Sequence, residues 1–282
     1  MKSVLFGITI IGFLFSCGNN QEKLMDQNTQ AQIDSSAIKI SSDTTLVNIP
    51  NVYSEVDTNN YVKILKTGFY HEDEIWENVE SGIWYEIFND PIEDDREVTY
   101  FLGETEIIAT RVYDPVVDED ESIQTGWEIS REGMVENVLF IQGIKLDENK
   151  TLINVPIPNA ELLPGDSLAF KYGDENYKLF ATGTIIWDDH TSIYTVAEDY
   201  KLFFTTIKNG QRITELLVEH ENFDDAMVSI IFIGDIDGDG FPDLILDTAR
   251  HYNVDNPTLY LSGDADENQL LQVVGWHRSV GC

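Results

Sequence analysis

Four aspartates at fixed spacing carry the strongest chemical signal in this sequence. Asp235, Asp237, Asp239 and Asp243 stand at positions 1, 3, 5 and 9 of one short segment. Proteins bind calcium through about six to eight oxygen ligands in flexible geometry, and carboxylates are common among them. The backbone carbonyl of Phe241, at position 7, adds a further oxygen. We therefore predict a calcium site formed by these four aspartates and Phe241, in which the ion stabilises a loop.

The residues around the aspartates favour a loop between two β-strands. Apolar runs precede and follow the segment, at residues 228–234 and 244–247. Gly240 permits the positive φ that a sharp turn needs, and Gly238 relieves crowding near the ion. An EF-hand requires a glutamate at position 12, but that position is Leu246. Two alternatives stay open: a plain hairpin turn, which Asp-Gly pairs also build, and magnesium, which demands a stricter octahedron.

The DxDxDGxxD spacing resembles the calcium loops of integrin-type FG-GAP and VCBS repeats, where the cation braces a strand-to-strand connection. A propeller built from such repeats needs several copies, but this pattern occurs once, so the resemblance implies the loop without the propeller. Val228 to Cys282 is also similar to the C-terminal part of uncharacterised lipoproteins from Bacteroidetes-type bacteria. The matching stretches are GDIDGDGFPDLILD, HYNVDNPTLYLS and the terminal HRSVGC. This second resemblance implies a location and a shared architecture, but no reaction.

The first residues predict a lipoprotein. Residues 1–16 combine Lys2 with an uncharged apolar run, as secretory signal peptides do, and the run is shorter than the roughly 20 residues that a membrane-spanning helix needs. The segment Leu14-Phe15-Ser16-Cys17 resembles a bacterial lipobox, which implies that Cys17 is lipidated. We therefore expect a lipid-anchored protein of the bacterial cell envelope, on the outer membrane and facing the periplasm or the surface. A plain secretory signal is the alternative.

The composition restricts the partners of this protein. Asp and Glu number 51 against 17 Lys and Arg, which gives a formal net charge of −34. Such a field repels nucleic acid and attracts divalent cations, so we expect no nucleic-acid partner. If Cys17 carries a lipid, Cys282 has no cysteine partner within the chain, and a disulfide framework is excluded.

Short apolar and aromatic runs predict a mainly β protein. Residues 18–44 are too polar to pack, which is typical of a flexible tether. Many later runs alternate with period two, and no segment shows a sustained 3.6-residue stripe. We predict antiparallel sheets in a sandwich- or barrel-like arrangement, not a full propeller. Three prolines within residues 155–165 suggest a boundary, which gives a lipidated tether at 17–44, an N-terminal β domain at 45–158 and a C-terminal β domain with the calcium loop at 159–282.

Weaker groupings leave other functions open. His251, His277 and Cys282 could bind zinc or copper if the fold brought them together. Residues 187–190 place an acid beside a base, and residues 264–268 begin like a second calcium loop, but surface turns explain both more simply. The sequence contains no catalytic motif that we recognise, so we expect no enzymatic activity.

A binding module is the main alternative to a purely structural role. It would recognise a glycan or a partner protein through exposed aromatic rings, and a hydrolase is a third possibility. The candidate rings are Trp76, Trp84, Trp127, Trp187 and Trp276. Because most tryptophans belong to cores, the test is whether two or more of them line one exposed surface.

Overall fold

The protein has a mainly β fold. A computed structural model describes residues 44–48, 62–90, 98–133, 137–147, 150–187, 194–262 and 269–281. Every regular element in these ranges is a β-strand, and the sheets are antiparallel except for one parallel pair. The described strands form open sheets, without a closed barrel or a propeller. This confirms the predicted fold class. The predicted signal peptide, Cys17 and nearly all of the tether lie outside the described residues.

Sheet 1 is a five-stranded sheet. Its spatial order is β1 (Thr44–Asn48), β13 (Gln211–Asn222), β12 (Tyr194–Lys208), β11 (Glu175–Trp187) and β10 (Ser167–Tyr172). The strands β10 to β13 form an antiparallel meander, whereas β1 runs parallel to β13. Asn209 and Gly210 both adopt positive φ at the turn between β12 and β13. An Asn-Gly pair suits such a turn because both residues tolerate that backbone conformation.

Sheet 2 carries the Asp-rich loop. Its four antiparallel strands lie in the order β14 (Ser229–Gly234), β15 (Asp243–Asp247), β17 (Pro257–Leu261) and β18 (Gln272–Trp276). The first two strands are the apolar runs on either side of the aspartates, and they pair as a hairpin.

Three smaller groups of strands complete the described fold. Sheet 3 has the order β2 (Lys63–Leu65), β8 (Asn137–Gln142), β4 (Trp84–Asp90), β5 (Thr99–Thr105) and β9 (Lys150–Leu152). Sheet 4 has the order β3 (Gly68–Tyr70), β7 (Gly126–Ser130) and β6 (Ile108–Val112). A short ladder pairs β16 (Val254–Asp255) with β19 (Ser279–Val280).

Sheet 2 is buried on both faces. In β15, Leu244 and Leu246 face a core shared with sheet 1, whereas Ile245 faces a core shared with sheet 3. In β17, Tyr260 faces the core shared with sheet 1, and Leu259 faces the core shared with sheet 3. Because successive side chains of a strand point to opposite faces, an unbroken apolar run belongs to a sheet covered on both sides. Sheet 2 is therefore the layer between sheets 1 and 3, and a third core lies between sheets 3 and 4.

The core between sheets 2 and 3 contains residues from both sides of the predicted domain boundary. Ile64 and Leu102 precede that boundary, Ile245 and Leu259 follow it, and all four lie in one apolar cluster without exposed surface. All of the described residues also belong to one compact unit. The division at residues 158 and 159 remains a prediction.

Glu215 is a buried carboxyl that ties the last part of the chain to sheet 1. It has no exposed surface and accepts hydrogen bonds from the backbone N–H groups of Leu270 and Leu271, the latter at 3.0 Å. Burial raises the pKa of Glu215 to about 7, although both N–H donors act to lower it. The folded protein therefore holds this proton more tightly than the unfolded chain does.

We expect Glu215 to make the free energy of unfolding fall as pH rises from 4.5 to about 7. In this window the unfolded chain has released the Glu215 proton and the folded protein keeps it, so rising pH favours unfolding. The stabilisation is complete below pH 4.5 and is lost above about pH 7. Urea unfolding of the wild type and of Glu215→Gln at several pH values measures the difference.

The stability difference between wild type and Glu215→Gln should shrink or reverse as pH rises through this window. Glu219→Gln is the matched control, because Glu219 lies on the same strand but is partly exposed and pairs with Lys201 at 2.7 Å. Parallel pH profiles for wild type and Glu215→Gln would contradict the assignment.

Candidate metal centre

The Asp-rich loop connects β14 to β15 at one end of sheet 2. Gly234 pairs with Asp243 across the two antiparallel strands, so residues 235–242 form the connection. Within it, Gly238 and Gly240 have φ angles of 89° and 90°. This backbone conformation is strained for residues that have a Cβ atom, which explains why glycines occupy these two positions.

The structure brings Asp235, Asp237 and Asp239 together. One carboxylate oxygen from each lies within 4.8 Å of those from the other two. Oxygen ligands at calcium-bond lengths of about 2.3–2.6 Å can lie up to about 5 Å apart on opposite sides of the ion. One cation can therefore contact all three carboxylates, and this group can hold a metal ion.

Backbone N–H groups within the loop orient all three of these carboxylates. Asp237 accepts a hydrogen bond from Asp239 N–H at 3.1 Å. Asp235 accepts hydrogen bonds from Gly238 N–H at 2.6 Å and from Gly240 N–H at 3.1 Å. Asp239 accepts one from Phe241 N–H at 2.8 Å. These bonds hold the loop in a curled form that places its acidic oxygens on one side, so little rearrangement is needed for a cation to bind.

Asp243 is held differently from the other three aspartates. It is fully buried, and one of its oxygens accepts hydrogen bonds from the N–H groups of Ile236 at 2.6 Å and Asp237 at 3.3 Å. The other oxygen accepts from the N–H and the hydroxyl of Ser262, at 2.8 and 2.9 Å. Each carboxylate oxygen has about two lone-pair sites, so these four hydrogen bonds occupy all the acceptor sites of Asp243. Asp243 braces the loop from inside the protein.

Electrostatics at the loop favour an added cation. Burial raises the pKa of Asp243 to about 7, and the charge of Asp237 adds to the rise. Lys150 offsets part of the negative charge, with Nζ 3.8 Å from an oxygen of Asp235. A divalent cation would relieve the remaining repulsion among the carboxylates.

Two ligand roles predicted from the sequence remain predictions. Asp243 lies outside the group of three aspartates and already has four hydrogen bonds. Phe241 has a ring that is 46% exposed and a backbone N–H bound to Asp239. Its carbonyl is the oxygen that the loop pattern assigns to the ion.

Ser262 and Tyr172 also support the loop, although no sequence pattern pointed to them. Ser262 follows β17, and its hydroxyl lies 3.1 and 3.2 Å from the two oxygens of Asp239. The Tyr172 hydroxyl, at the end of β10 in sheet 1, accepts a hydrogen bond from Asp235 N–H at 3.1 Å. Strand pairing and sheet packing bring both residues to the loop, and neither is visible in the local sequence.

His251 and His277 have separate partners. His251 Nε2 pairs with an oxygen of Asp224 at 3.0 Å. The buried His277 donates a hydrogen bond from Nε2 to the backbone oxygen of Glu74 at 2.8 Å. Cys282 lies outside the described residues, as do residues 188–190 and 264–268, so the groupings that include them remain predictions.

The tryptophans whose side chains are described take part in packing. Trp84 is fully buried and lies beside Trp76, which also contacts His277. Arg111 covers the ring of Trp127 at 3.6 Å from its centre. Trp276 is half-buried. The side chain of Trp187 lies outside the described residues. Binding of a glycan or protein through exposed tryptophans therefore remains a prediction.

No family model, no curated protein and no solved structure matches this chain. Among the described residues, no helix is long and apolar enough to cross a membrane. Neither the comparisons nor the described side chains give a positive indication of catalysis. The resemblances to FG-GAP and VCBS loops and to Bacteroidetes-type lipoproteins remain predictions.

We expect Asp243→Ala to lower the free energy of unfolding by about 3 kcal/mol in the presence of a chelator, because it leaves buried N–H and hydroxyl donors without an acceptor. Asp239→Ala is the control in the same buffer. Asp239 is exposed, so its loss should cost less than about 1 kcal/mol. Urea unfolding in EDTA measures both. Equal losses for the two variants would show that Asp243 does not brace the loop independently of a metal.

Proposed function

We propose that this protein is a membrane-anchored lipoprotein of the bacterial cell envelope whose Asp-rich loop binds calcium as a structural ion. The observation that carries the proposal is the convergence of Asp235, Asp237 and Asp239, with one oxygen of each within 4.8 Å of the others. The loop joins two strands of the central sheet. An ion there would hold both strand ends in place.

The chemistry of the loop supports calcium over zinc or copper. The converging ligands are carboxylates, and hard oxygen donors suit calcium, magnesium or manganese, whereas zinc and copper favour imidazole and thiolate. Magnesium needs a near-ideal octahedron at about 2.0–2.1 Å and gives up its waters reluctantly. Calcium has longer and more variable bonds, which suit the irregular geometry of a loop.

A structural role follows from where the loop lies. Gly234 and Asp243, at its two ends, belong to strands covered by apolar cores on both faces. Binding energy at the loop would therefore add to the stability of the whole central layer. Any ligand that binds the folded protein alone raises its stability by mass action.

We expect calcium to raise the melting temperature of the purified protein, by an amount that corresponds to about 2.7 kcal/mol at a hundredfold excess over Kd. Asp237→Ala should abolish most of this rise, because it removes one of the three converging carboxylates. Differential scanning calorimetry with added calcium, with added magnesium and with EDTA measures the response, and magnesium should give the smaller shift.

Asp174→Ala is the matched control for this experiment. Asp174 is a fully exposed turn aspartate that lies 4.0 Å from Lys171 Nζ, so the variant removes the same charge away from the loop. It should keep the full calcium response. A wild-type melting temperature that is the same with calcium and with EDTA would refute the structural calcium site.

The membrane anchor is proposed from the lipobox-like segment that ends at Cys17. Wild-type protein should incorporate radiolabelled palmitate and partition into the detergent phase of Triton X-114. Cys17→Ala should lose both properties, while Cys282→Ala, the control at the other cysteine, should keep them. Unlabelled wild-type protein that stays in the aqueous phase would favour the plain secretory signal.

A further inference from the structure

A polar cleft lies away from the Asp-rich loop and is not part of the proposed calcium site. It has a volume of about 910 Å³ and is bordered by the ends of β13 and β15 and by the segments around β16 and β19. Small-molecule sites in proteins typically occupy roughly 300–1,000 Å³. The cleft is therefore large enough for an organic ligand of several rings.

The floor of the cleft is an ordered network of uncharged polar groups. His220 Nε2 donates to the backbone oxygen of Thr248 at 2.9 Å, and Asn256 Nδ2 donates to the Thr248 hydroxyl at 2.8 Å. All three residues are buried. Burial lowers the pKa of His220, and the charge of Arg250 lowers it further. The floor is thus neutral and fixed.

The rim contains two arginines that have no ion-pair partner within the described part of the chain. Arg250 and Arg278 both line the cleft, and both are exposed. The sequence has six arginines against 51 acidic residues, so a carboxylate partner for an arginine is statistically easy to find. Two guanidinium groups that have no ion-pair partner among the described residues therefore line one cleft and are available to an anionic ligand.

The carboxylates at the same rim are largely engaged. Glu219 pairs with Lys201 at 2.7 Å, and Asp224 pairs with His251 at 3.0 Å. Glu221 is the third carboxylate at the cleft. Lys201 compensates the charge of Glu219, so the cleft presents charges of both signs: the two arginines, Asp224 and Glu221.

Uncharged groups at the cleft suit a ligand rich in hydroxyls. The amides of Asn222 and Asn253 line it, and an amide can both donate to and accept from a hydroxyl. His251 stacks against Tyr252, with ring centres 4.5 Å apart, and Tyr252 is 68% exposed. One face of the tyrosine is therefore covered by His251, which lines the cleft, while much of Tyr252 is exposed next to it.

We propose that this cleft binds a short acidic sugar, with the sugar carboxylate held by Arg250 and Arg278 and the hydroxyls held by the asparagines. Guanidinium groups form strong, often bidentate, hydrogen bonds with carboxylates. The Tyr252 ring provides an apolar surface for a sugar ring at the edge of the site. The site acts independently of the calcium loop, because none of its groups belongs to residues 235–243.

Trigalacturonate and its fully methyl-esterified form are the matched probes. The two share every ring and every hydroxyl and differ only in methyl esterification, which removes the charge of the carboxyl groups. Isothermal titration calorimetry with the full-length protein in detergent, at constant calcium, should show binding of the acid and at least tenfold weaker binding of the ester. Triglutamate, a peptide with similar carboxylate density, should bind more weakly than the sugar acid.

Arg250→Gln and Arg278→Gln should each weaken binding of trigalacturonate on the order of tenfold, the scale of one lost charged hydrogen bond. Both side chains are exposed, so both variants should keep the wild-type melting temperature. Arg212→Gln is the control, because Arg212 is an exposed arginine on β13 that does not line the cleft. It should bind trigalacturonate as the wild type does.

Four results would overturn the proposal. They are no binding of trigalacturonate at millimolar concentration, equal binding of the acid and its ester, tighter binding of triglutamate than of the sugar acid, and equal weakening by Arg212→Gln. Equal weakening by Arg212→Gln would show that binding depends on the overall charge of the protein and not on the arginines of the cleft. Asp237→Ala should leave the affinity unchanged, which separates this site from the proposed calcium site.

Discussion

The burial of sheet 2 on both faces is the constraint on which the rest of the described fold depends. Apolar side chains from β15 and β17 supply cores on either side, so this sheet meets polar surroundings at its ends and edges. Each connection there must satisfy its own backbone groups, since an unpaired buried N–H or C=O is costly. The β14–β15 loop does so with carboxylates: Asp243 accepts hydrogen bonds from inside the protein, and Asp235 accepts them within the loop. The carboxylates of the Asp-rich loop thus serve first to satisfy backbone N–H groups at the end of a buried hairpin.

Acidic residues have two distinct positions in this protein. Most of the charge lies on the surface, where water solvates it and the net charge favours solubility. Five of the described carboxyl residues are buried. Three of them have partners from other segments: Asp243 has backbone N–H groups and Ser262, Glu215 has the N–H groups of Leu270 and Leu271, and Glu86 has Arg131 at 2.7 Å. Burial raises the pKa of all three. These three acids join segments that are separated in sequence.

Local patterns predicted the mainly β fold and the turn of the Asp-rich loop, because both depend on neighbouring residues. Alternating apolar runs indicate strands, and Asp-Gly pairs permit left-handed backbone at Gly238 and Gly240. Other parts of the site depend on residues brought together by sheet packing. Ser262 reaches Asp239 because β17 pairs with β15, and Tyr172 reaches Asp235 because sheet 1 covers sheet 2. The cleft was equally hidden, since tertiary structure alone places Arg250 and Arg278 on the same cleft.

The parallel strand at the edge of sheet 1 has a mechanical consequence. Thr44 lies opposite Arg212 and Asn48 lies opposite Leu216, so β1 is paired with β13 along its whole length. In a protein held by residues that precede Thr44, a pull along the strand loads all of these inter-strand hydrogen bonds at once, in shear. Bonds loaded together share the force, whereas a peeled strand breaks them one after another. An anchor that precedes Thr44 would therefore resist a pull along β1 better than an anchor on a loop or on a strand that peels away.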